Sequence, residues 1–386
     1  MQSLRALIES QFLLSTAWVV LGMGASCVLA ATIRHTAIGR AVRLARPGER
    51  VLILGTSALA RELIREMQAR GSRWTIVGVI PEVRSFQSAS PYPVMGCLEE
   101  VGLVVDKVRP HRIVVALDER RGRLPVASLL DSRVRGVAVE QGVEFYERLT
   151  NRLAIDSLTP SALIFSGGFR RRPFAGAVGR GMSLLLSALA LVVTAPLWPL
   201  IALAVRLDSR GPAVYRQERI GRGTRTFGLL KFRTMHGEGA GASAWARDNL
   251  ARITRIGRFL RWSHLDELPQ LVNVLRGDMN LVGPRPHPVA NLALFNAGIP
   301  YYALRSAIRP GVTGWAQVCY PYANTLQEES EKMRYDLYYI KHRSLWLDLR
   351  ILARTVHVLL LGLRPEPVMT VESVALPHPT ANRRTA

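Results

Sequence analysis

MSLLLSALALVVTAPLWPLIALAV, residues 182–205, is long enough to cross a bilayer yet carries Pro196 and Pro199 near its middle. Proline removes a backbone donor and clashes with the preceding turn, so a sharp break is expected at Ala195-Pro196. Both flanks are basic: Arg170, Arg171, Arg172 and Arg180 precede the run, and Arg206, Arg210, Arg216 and Arg219 follow it. A straight span should carry its positive bias on one side only. Symmetric flanks around a central break favour a helix that dips into one leaflet and returns to the same face. A straight span and a buried core helix are the competing readings.

Upstream, Phe12 to Ile33 is a second almost uncharged stretch of spanning length, followed by Arg34, Arg40, Arg43, Arg46 and Arg50. The basic flank places the downstream chain in the cytoplasm, so residues 1–47 read as an N-terminal membrane helix with its flank. No small-residue cleavage site marks a signal peptide.

From Val51 the texture changes. VLIL (51–54), WTIVGVI (74–80), RIVVAL (112–117) and VRGVAVE (134–140) read as strands. LEEVGLVVDKV (98–108) and LPVASLLDSRV (124–134) read as helices between them, with another from Ser57, its N-cap, to Arg70, closed by Gly71. Such alternation argues for an α/β fold, a doubly wound, Rossmann-like domain over 48–150, with 151–175 as a linker. Gly55, Ser57 and Ala60 stand where a dinucleotide fingerprint wants three glycines, so a structural or regulatory module is expected.

The chain has 386 residues, 48% of them hydrophobic, and a formal charge of +22. That charge suits an anionic partner: nucleic acid, an anionic membrane face or a phosphorylated substrate. The arginines sit beside long apolar runs, and no zinc-finger spacing or RNP-type motif appears, so no nucleic acid is expected. Cys27, Cys97 and Cys319 lie far apart without a CxxC pair, which suits a reducing compartment. Leu345, Leu349, Leu352, Val356, Leu359 and Leu363 recur on one helical face, behind the aromatic and basic YYIKHRSLW (338–346). That helix suits either the lipid–water interface or the protein's own core. From Pro365 the chain reads as a polar tail without fixed structure.

The segment WSHLDELPQLVNVLRGDMNLVGPRP (262–286) concentrates polar residues in an apolar setting. Leu268, Leu271, Val272 and Leu275 share a helical face, and Pro269 suits its first turn, so Asp266 and Glu267 fall at or just before a helix N-terminus. Adjacent carboxylates repel, and a divalent cation such as Mg²⁺, held together with substrate phosphates, relieves that repulsion. One carboxylate can then attack phosphorus while the other holds the metal. A plain acidic helix cap is the rival reading. LLKFRTM (229–235) is strand-like and puts Lys231 and Arg233 on one side. Arg285 is fixed between Pro284 and Pro286, and RPGVTGWAQV (309–318) forms a loop with Arg309, Trp315 and Gln317 that could close over a phosphate or a base. Asp278 is a second acidic candidate or a simple turn residue.

KFRTM (231–235), LDELPQLVNVLRGDMNLVGPRP (265–286) and RPGVTGWAQV, in that order after LDSRGPAVYRQERIG (207–221), closely resemble the bacterial sugar transferase family. Its members are polyprenyl-phosphate hexose-1-phosphate transferases that begin exopolysaccharide and O-antigen repeat units. The stretch 115–158 further resembles the exosortase-associated exopolysaccharide branch. The resemblance implies a monotopic α/β catalytic domain over 176–364 with a re-entrant membrane helix, at the bacterial inner membrane and facing the cytoplasm. It implies a UDP-sugar and polyprenyl phosphate as substrates, membrane lipids as surroundings, and Mg²⁺ as cofactor; a homo-oligomer stays open. Asp266 matches the family's nucleophile, expected to hold a covalent phosphosugar as UMP leaves, and Glu267 matches the glutamate assigned to Mg²⁺. Lys231, Arg233 and Arg285 match basic positions suited to phosphates. The chain departs from the family in reading Ala195-Pro196 where Ser-Pro is frequent, in lacking an acidic residue at the opening GRGMS (179–183), and in offering one early membrane helix where larger members carry several. A nucleotide-sugar dehydratase or epimerase would need an intact glycine fingerprint and a Tyr-x-x-x-Lys pair, and neither is found. A membrane scaffold with an inactive transferase half is the non-enzyme alternative.

Overall fold

The computed structural model describes residues 48–71, 73–82, 92–117, 123–165, 167–169, 173–236, 251–320 and 323–361. The early membrane helix and the tail from residue 365 lie outside the described residues. The chain forms two compact units, Met1–Phe145 and Tyr146–Ala386.

The first unit alternates β1 (Glu49–Leu54), α1 (Ala58–Ala69), β2 (Trp74–Ile80), α2 (Val101–Val108), β3 (Arg112–Val115), α3 (Val126–Val134) and β4 (Ala138–Gln141). All neighbouring strands are parallel, in the order β2-β1-β3-β4. A strand buried on both faces reads as an unbroken apolar run, and Val51, Leu52, Ile53 and Leu54 are each fully buried. Leu52 and Leu54 pack with Val101 and Val105 of α2 and Leu129 of α3. Fully burying such a side chain contributes about 1.5–3 kcal/mol. The expected strand 134–140 is shortened because α3 runs to Val134 and turns through Gly136. Ser57 caps α1 as expected, accepting from Ala60 N at 3.1 Å, and its Oγ donates to Ala116 O at 2.6 Å. Gly55, at φ +107°, is obligatory: a Cβ there would stand 2.3 Å from Ala116 O.

The helix α4 (Gly142–Thr150) contains the division between the units. In the second unit, residues expected within a linker are instead packed. Leu153 and Ile155 are buried with Met333, Leu337 and Ile340, and Arg152 pairs with Glu331 at 3.0 Å. Apolar side chains there gain more by joining a core than by staying in water.

After the short α5 (Pro160–Phe165) come α6 (Pro173–Thr194) and α7 (Leu197–Asp208), separated at Ala195-Pro196 as the prolines require. Pro199 falls in the first turn of α7, where its missing donor costs nothing. Thr194 supplies a hydroxyl at the break, donating to Ala190 O at 2.7 Å and accepting from Trp198 Nε1 at 3.4 Å. Within α6, Gly176–Thr194 is the one described helix long and apolar enough to cross a membrane. Leu185, Leu189, Val192 and Val193 of α6 and Leu200, Leu203 and Leu207 of α7 are exposed, while Ser183, Ser187, Ile201 and Val205 face the protein.

The remaining elements assemble around that pair. β5 (Val214–Ile220) and β6 (Thr226–Phe232) form an antiparallel hairpin, followed by α8 (Arg255–Trp262), α9 (Gln270–Arg276) and β7 (Asn280–Val282). Then come α10 (Leu292–Gly298), β8 (Gly311–Thr313), which pairs parallel with β7, α11 (Trp315–Cys319), α12 (Leu326–His342) and α13 (Leu345–Leu361). Ile201, Val205, Phe232 and Leu260 make the core where α7, β6 and α8 meet. On α13, Leu347 and Ile351 are buried in a cluster with Trp315 and Tyr339, against which Leu352 also packs, whereas Leu345, Leu349, Val356 and Leu359 of the expected apolar stripe are exposed.

Candidate active site

Asp266 and Glu267 lie in a 3₁₀ turn, Leu265–Glu267, that continues through Leu268 and Pro269 into α9. The pair thus sits just ahead of a helix, as expected. Leu265 and Leu268 anchor the turn by packing against the Ile201–Phe232–Leu260 core. The chain enters the turn through His264 at φ +57°, a left-handed conformation that costs a non-glycine residue about 1 kcal/mol or more. At the other end Gly277, at φ +97°, closes α9. Asn273 of α9 is fully buried and ties the helix to the hairpin: it accepts from Leu230 N at 3.0 Å and donates to Gly228 O at 2.9 Å. That stitch sets Lys231, the next residue of β6, beside the acidic turn.

The two carboxylates are treated differently. Glu267 is gripped by Arg285, whose Nη2 and Nη1 lie 2.5 and 3.4 Å from its two oxygens. Burial alone would push the Glu267 carboxyl up, but Arg285 outweighs it and holds the group below the usual glutamate value. Asp266, 9% exposed, makes no hydrogen bond among the described residues. Burial, and then the charge of Glu267, push it up to about 6, against the pull of Lys231, Arg261 and Arg285. The result is one fixed carboxylate and one free carboxylate facing cations.

Those cations are crowded. Lys231 Nζ lies 5.5 Å from the Tyr215 ring, and burial, with Arg219, Arg261 and Arg285 nearby, pushes it down to about 8. Arg219 is pushed down to about 10 by burial and by Arg285. Its Nη groups donate to Pro286 O at 3.0 Å and Gln217 Oε1 at 2.6 Å, while its Nε is buried without a partner among the described residues. A concentration of buried positive charge lacking enough counter-charge is a standing invitation to an anion.

Of the residues singled out in the sequence, Asp266, Glu267, Lys231 and Arg285 come together. Arg233 does not: its guanidinium binds Ser209 O at 2.6 Å and Ser209 Oγ at 3.2 Å at the end of α7, satisfying carbonyl groups a helix terminus leaves open. Arg309 lies beside Arg180, which binds Val274 O and Met279 O at the opposite end of α9 from the acidic pair. Gln317 folds back on β8, donating to Val312 O at 2.9 Å. Trp315, expected in a closing loop, is buried, with Arg350 and Arg354 over its ring at 5.3 and 4.8 Å. Asp278 is a turn residue that accepts from Asn273 Nδ2 at 3.0 Å. Arg219, Arg261 and Asn273 were missed. The period-2 alternation of YRQERI could have flagged Arg219, which shares a strand face with Tyr215, the cross-strand neighbour of Lys231.

Residues 174–362 match the family described as Bacterial sugar transferase. A UDP-glucose:undecaprenyl-phosphate glucose-1-phosphate transferase of Caulobacter vibrioides is 47% identical over 184 residues, covering 47% of this chain and 69% of that protein. The chain belongs to the bacterial sugar transferase family. A UDP-N-acetylgalactosamine-undecaprenyl-phosphate N-acetylgalactosaminephosphotransferase of Aeromonas hydrophila is 40% identical over 218 residues, 56% of this chain and 51% of that protein. An undecaprenyl-phosphate glucose phosphotransferase of Komagataeibacter xylinus is 32% identical over 327 residues, 81% of this chain and 59% of that protein. The chain therefore spans about half the length of the Aeromonas relative.

In this bacterial sugar transferase the matched segment carries the broken helix, the hairpin, the acidic turn and Arg285. A resident metal would have little else to bind, since no group of three or more His, Cys, Asp or Glu is placed to hold one among the described residues. The pair nevertheless fits Mg²⁺, which takes one or two carboxylates and completes its shell with phosphate oxygens and water.

Proposed function

We propose that this transferase moves a hexose-1-phosphate from a UDP-sugar to polyprenyl phosphate, beginning an exopolysaccharide repeat unit, with Asp266 as nucleophile. The observation that carries the reading is the unequal pair: Asp266 is free and faces Lys231, Arg261 and Arg285, whereas Glu267 is clamped. The Aeromonas and Caulobacter relatives, a UDP-N-acetylgalactosamine-undecaprenyl-phosphate and a UDP-glucose:undecaprenyl-phosphate transferase, suggest the donor and acceptor classes.

In the first step a carboxylate oxygen of Asp266 attacks the β-phosphorus. An aspartyl–phosphate bond forms, the bond to the bridging oxygen breaks, and UMP leaves with that electron pair. Lys231, Arg219 and Arg285, the cations gathered around the pair, would stabilise the displaced negative charge. In the second step an oxygen of the lipid phosphate attacks the same phosphorus, breaking the bond to Asp266 and restoring its carboxylate. Glu267 would hold Mg²⁺, which when bound offsets charge on the pyrophosphate. Arg285 keeps that glutamate in one orientation.

The exposed apolar faces of α6 and α7, continuous across the Pro196 break, support a re-entrant helix seated in one leaflet. The parallel order β2-β1-β3-β4 supports reading the first unit as a Rossmann-like module.

Purified protein given polyprenyl phosphate, Mg²⁺ and UDP-glucose, UDP-galactose or their N-acetylated counterparts should release UMP and form a lipid-linked sugar with at least one donor. Release of UDP instead would overturn the reaction class. For the membrane helix, cysteine labels at positions 173 and 210, in a background without native cysteines, should both react from the cytoplasmic side. Reaction from opposite sides would mean a straight span.

A further inference from the structure

Pro284, Pro286 and Pro288 bracket Arg285 and His287, and their rings remove three backbone donors from the segment. The segment can therefore be held mainly through carbonyls and side chains. Gly311 N donates to Pro284 O at 2.9 Å, Arg219 Nη1 to Pro286 O, and Ile220 N to His287 O at 3.0 Å. The largest anchor is the imidazole of His287, which is only 8% exposed. It lies edge-on to Phe295 with centroids 5.0 Å apart, and stacks on Tyr302 at 6.0 Å.

A buried ion network surrounds that ring. Glu329 Oε1 lies 3.0 Å from Nε2. Arg305 Nη1 is 2.6 Å from Nδ1 and 2.7 Å from Nε2, and the Tyr302 hydroxyl is 2.6 Å from Nδ1. A carboxylate can only accept, so Nε2 carries the proton to Glu329, and Nδ1 accepts from Arg305 or Tyr302. Arg305 Nε binds Asp336 at 2.7 Å, and Lys332 Nζ binds Glu329 at 3.2 Å. Arg305 and Lys332 balance Glu329 and Asp336, so the imidazole completes the network as a neutral group.

Burying four ions is no economical way to stabilise a core, since well-packed apolar residues serve as well or better. Directional bonds do supply one position for the group they grip. Here that group is two residues from Arg285, the clamp on Glu267. We infer that His287 is a positioning residue: the network of α12 and residues 302–307 grips its ring, fixes the proline-bracketed segment, and so seats Arg285 on Glu267. This deepens the proposed function and rests on it.

A double-mutant cycle tests the inference in UMP release and in thermal unfolding. His287→Phe fills the space without the bonds and should lower kcat about 10-fold or more, with donor KM changed less than about 3-fold. His287→Gln keeps a donor and an acceptor and should recover most of the rate. Added to Arg285→Lys, His287→Phe should cost no more than about 2-fold further, because the group it positions is already altered. Full additivity, or a loss confined to KM, would leave His287 a purely structural residue and overturn the inference. If wild-type protein moved no sugar from any donor, the functional reading would fall separately. The unfolding cycle needs no substrate: coupling between the two sites supports the positioning role, and strict additivity removes it.

Discussion

Asp266→Asn should lower UMP release by about 10³-fold or more while making the protein more stable, a pairing that an acidic helix cap would not produce. The amide keeps the shape of the carboxylate but cannot attack phosphorus. Stability follows from the burial that holds the folded-state carboxyl at about 6 against an ordinary 3.8. A folded-state value raised in this way means the folded protein binds the proton more tightly than the unfolded chain. The stability associated with that proton is complete below about pH 3.8 and is lost as pH rises through about 6. At neutral pH the ionised Asp266 then costs the fold up to about 3 kcal/mol, from 1.36 kcal/mol per pH unit. Asparagine never ionises, so its advantage should grow between those two pH values and then level off. Melting curves of both proteins across that range check it. Near-normal UMP release by Asp266→Asn would end the covalent mechanism, and a lower melting temperature would end the electrostatic account of the site.

The second large effect is expected from Arg285→Ala. Glu267 would lose both contacts to its oxygens and remain partly buried with its charge unbalanced. Breaking a fully buried pair costs about 3–5 kcal/mol. Arg285 is one-third exposed, so about 2 kcal/mol is expected here. Because Arg285 also pulls Asp266 toward ionisation, its removal should raise that group above about 6. In wild-type protein, kcat/KM should rise through about pH 6 as Asp266 ionises. It should fall through about pH 8 as Lys231 loses its proton. In Arg285→Ala the acid limb should move to higher pH and the rate at neutral pH should drop about 10²-fold. An unmoved acid limb would mean that Arg285 does not act on the pair.

Much of the architecture was legible because its causes are local. VLIL reads as a doubly covered parallel strand from four successive apolar residues, and Ser57 caps the next helix through a bond spanning three positions. Likewise the acidic pair before Pro269 needs only the rule that proline tolerates a first helical turn. Arg233 shows where such reasoning stops. By alternation it belongs beside Lys231, yet its long side chain turns to the open carbonyls of α7, brought near by residues more than twenty positions away. Arg219 was read merely as basic flank, and packing made it part of the site.

By itself, then, the sequence determined that residues 182–205 form an apolar helix that must break at Pro196, because a missing donor and a ring clash act within one turn. It likewise determined the acidic pair and the alternating unit upstream. Only the tertiary structure decided how differently the two carboxylates are held. A flexible arginine can satisfy carbonyls or carboxylates alike, and which it meets depends on the elements that packing brings within its reach. Packing delivered Arg285 to Glu267 and left Asp266 free.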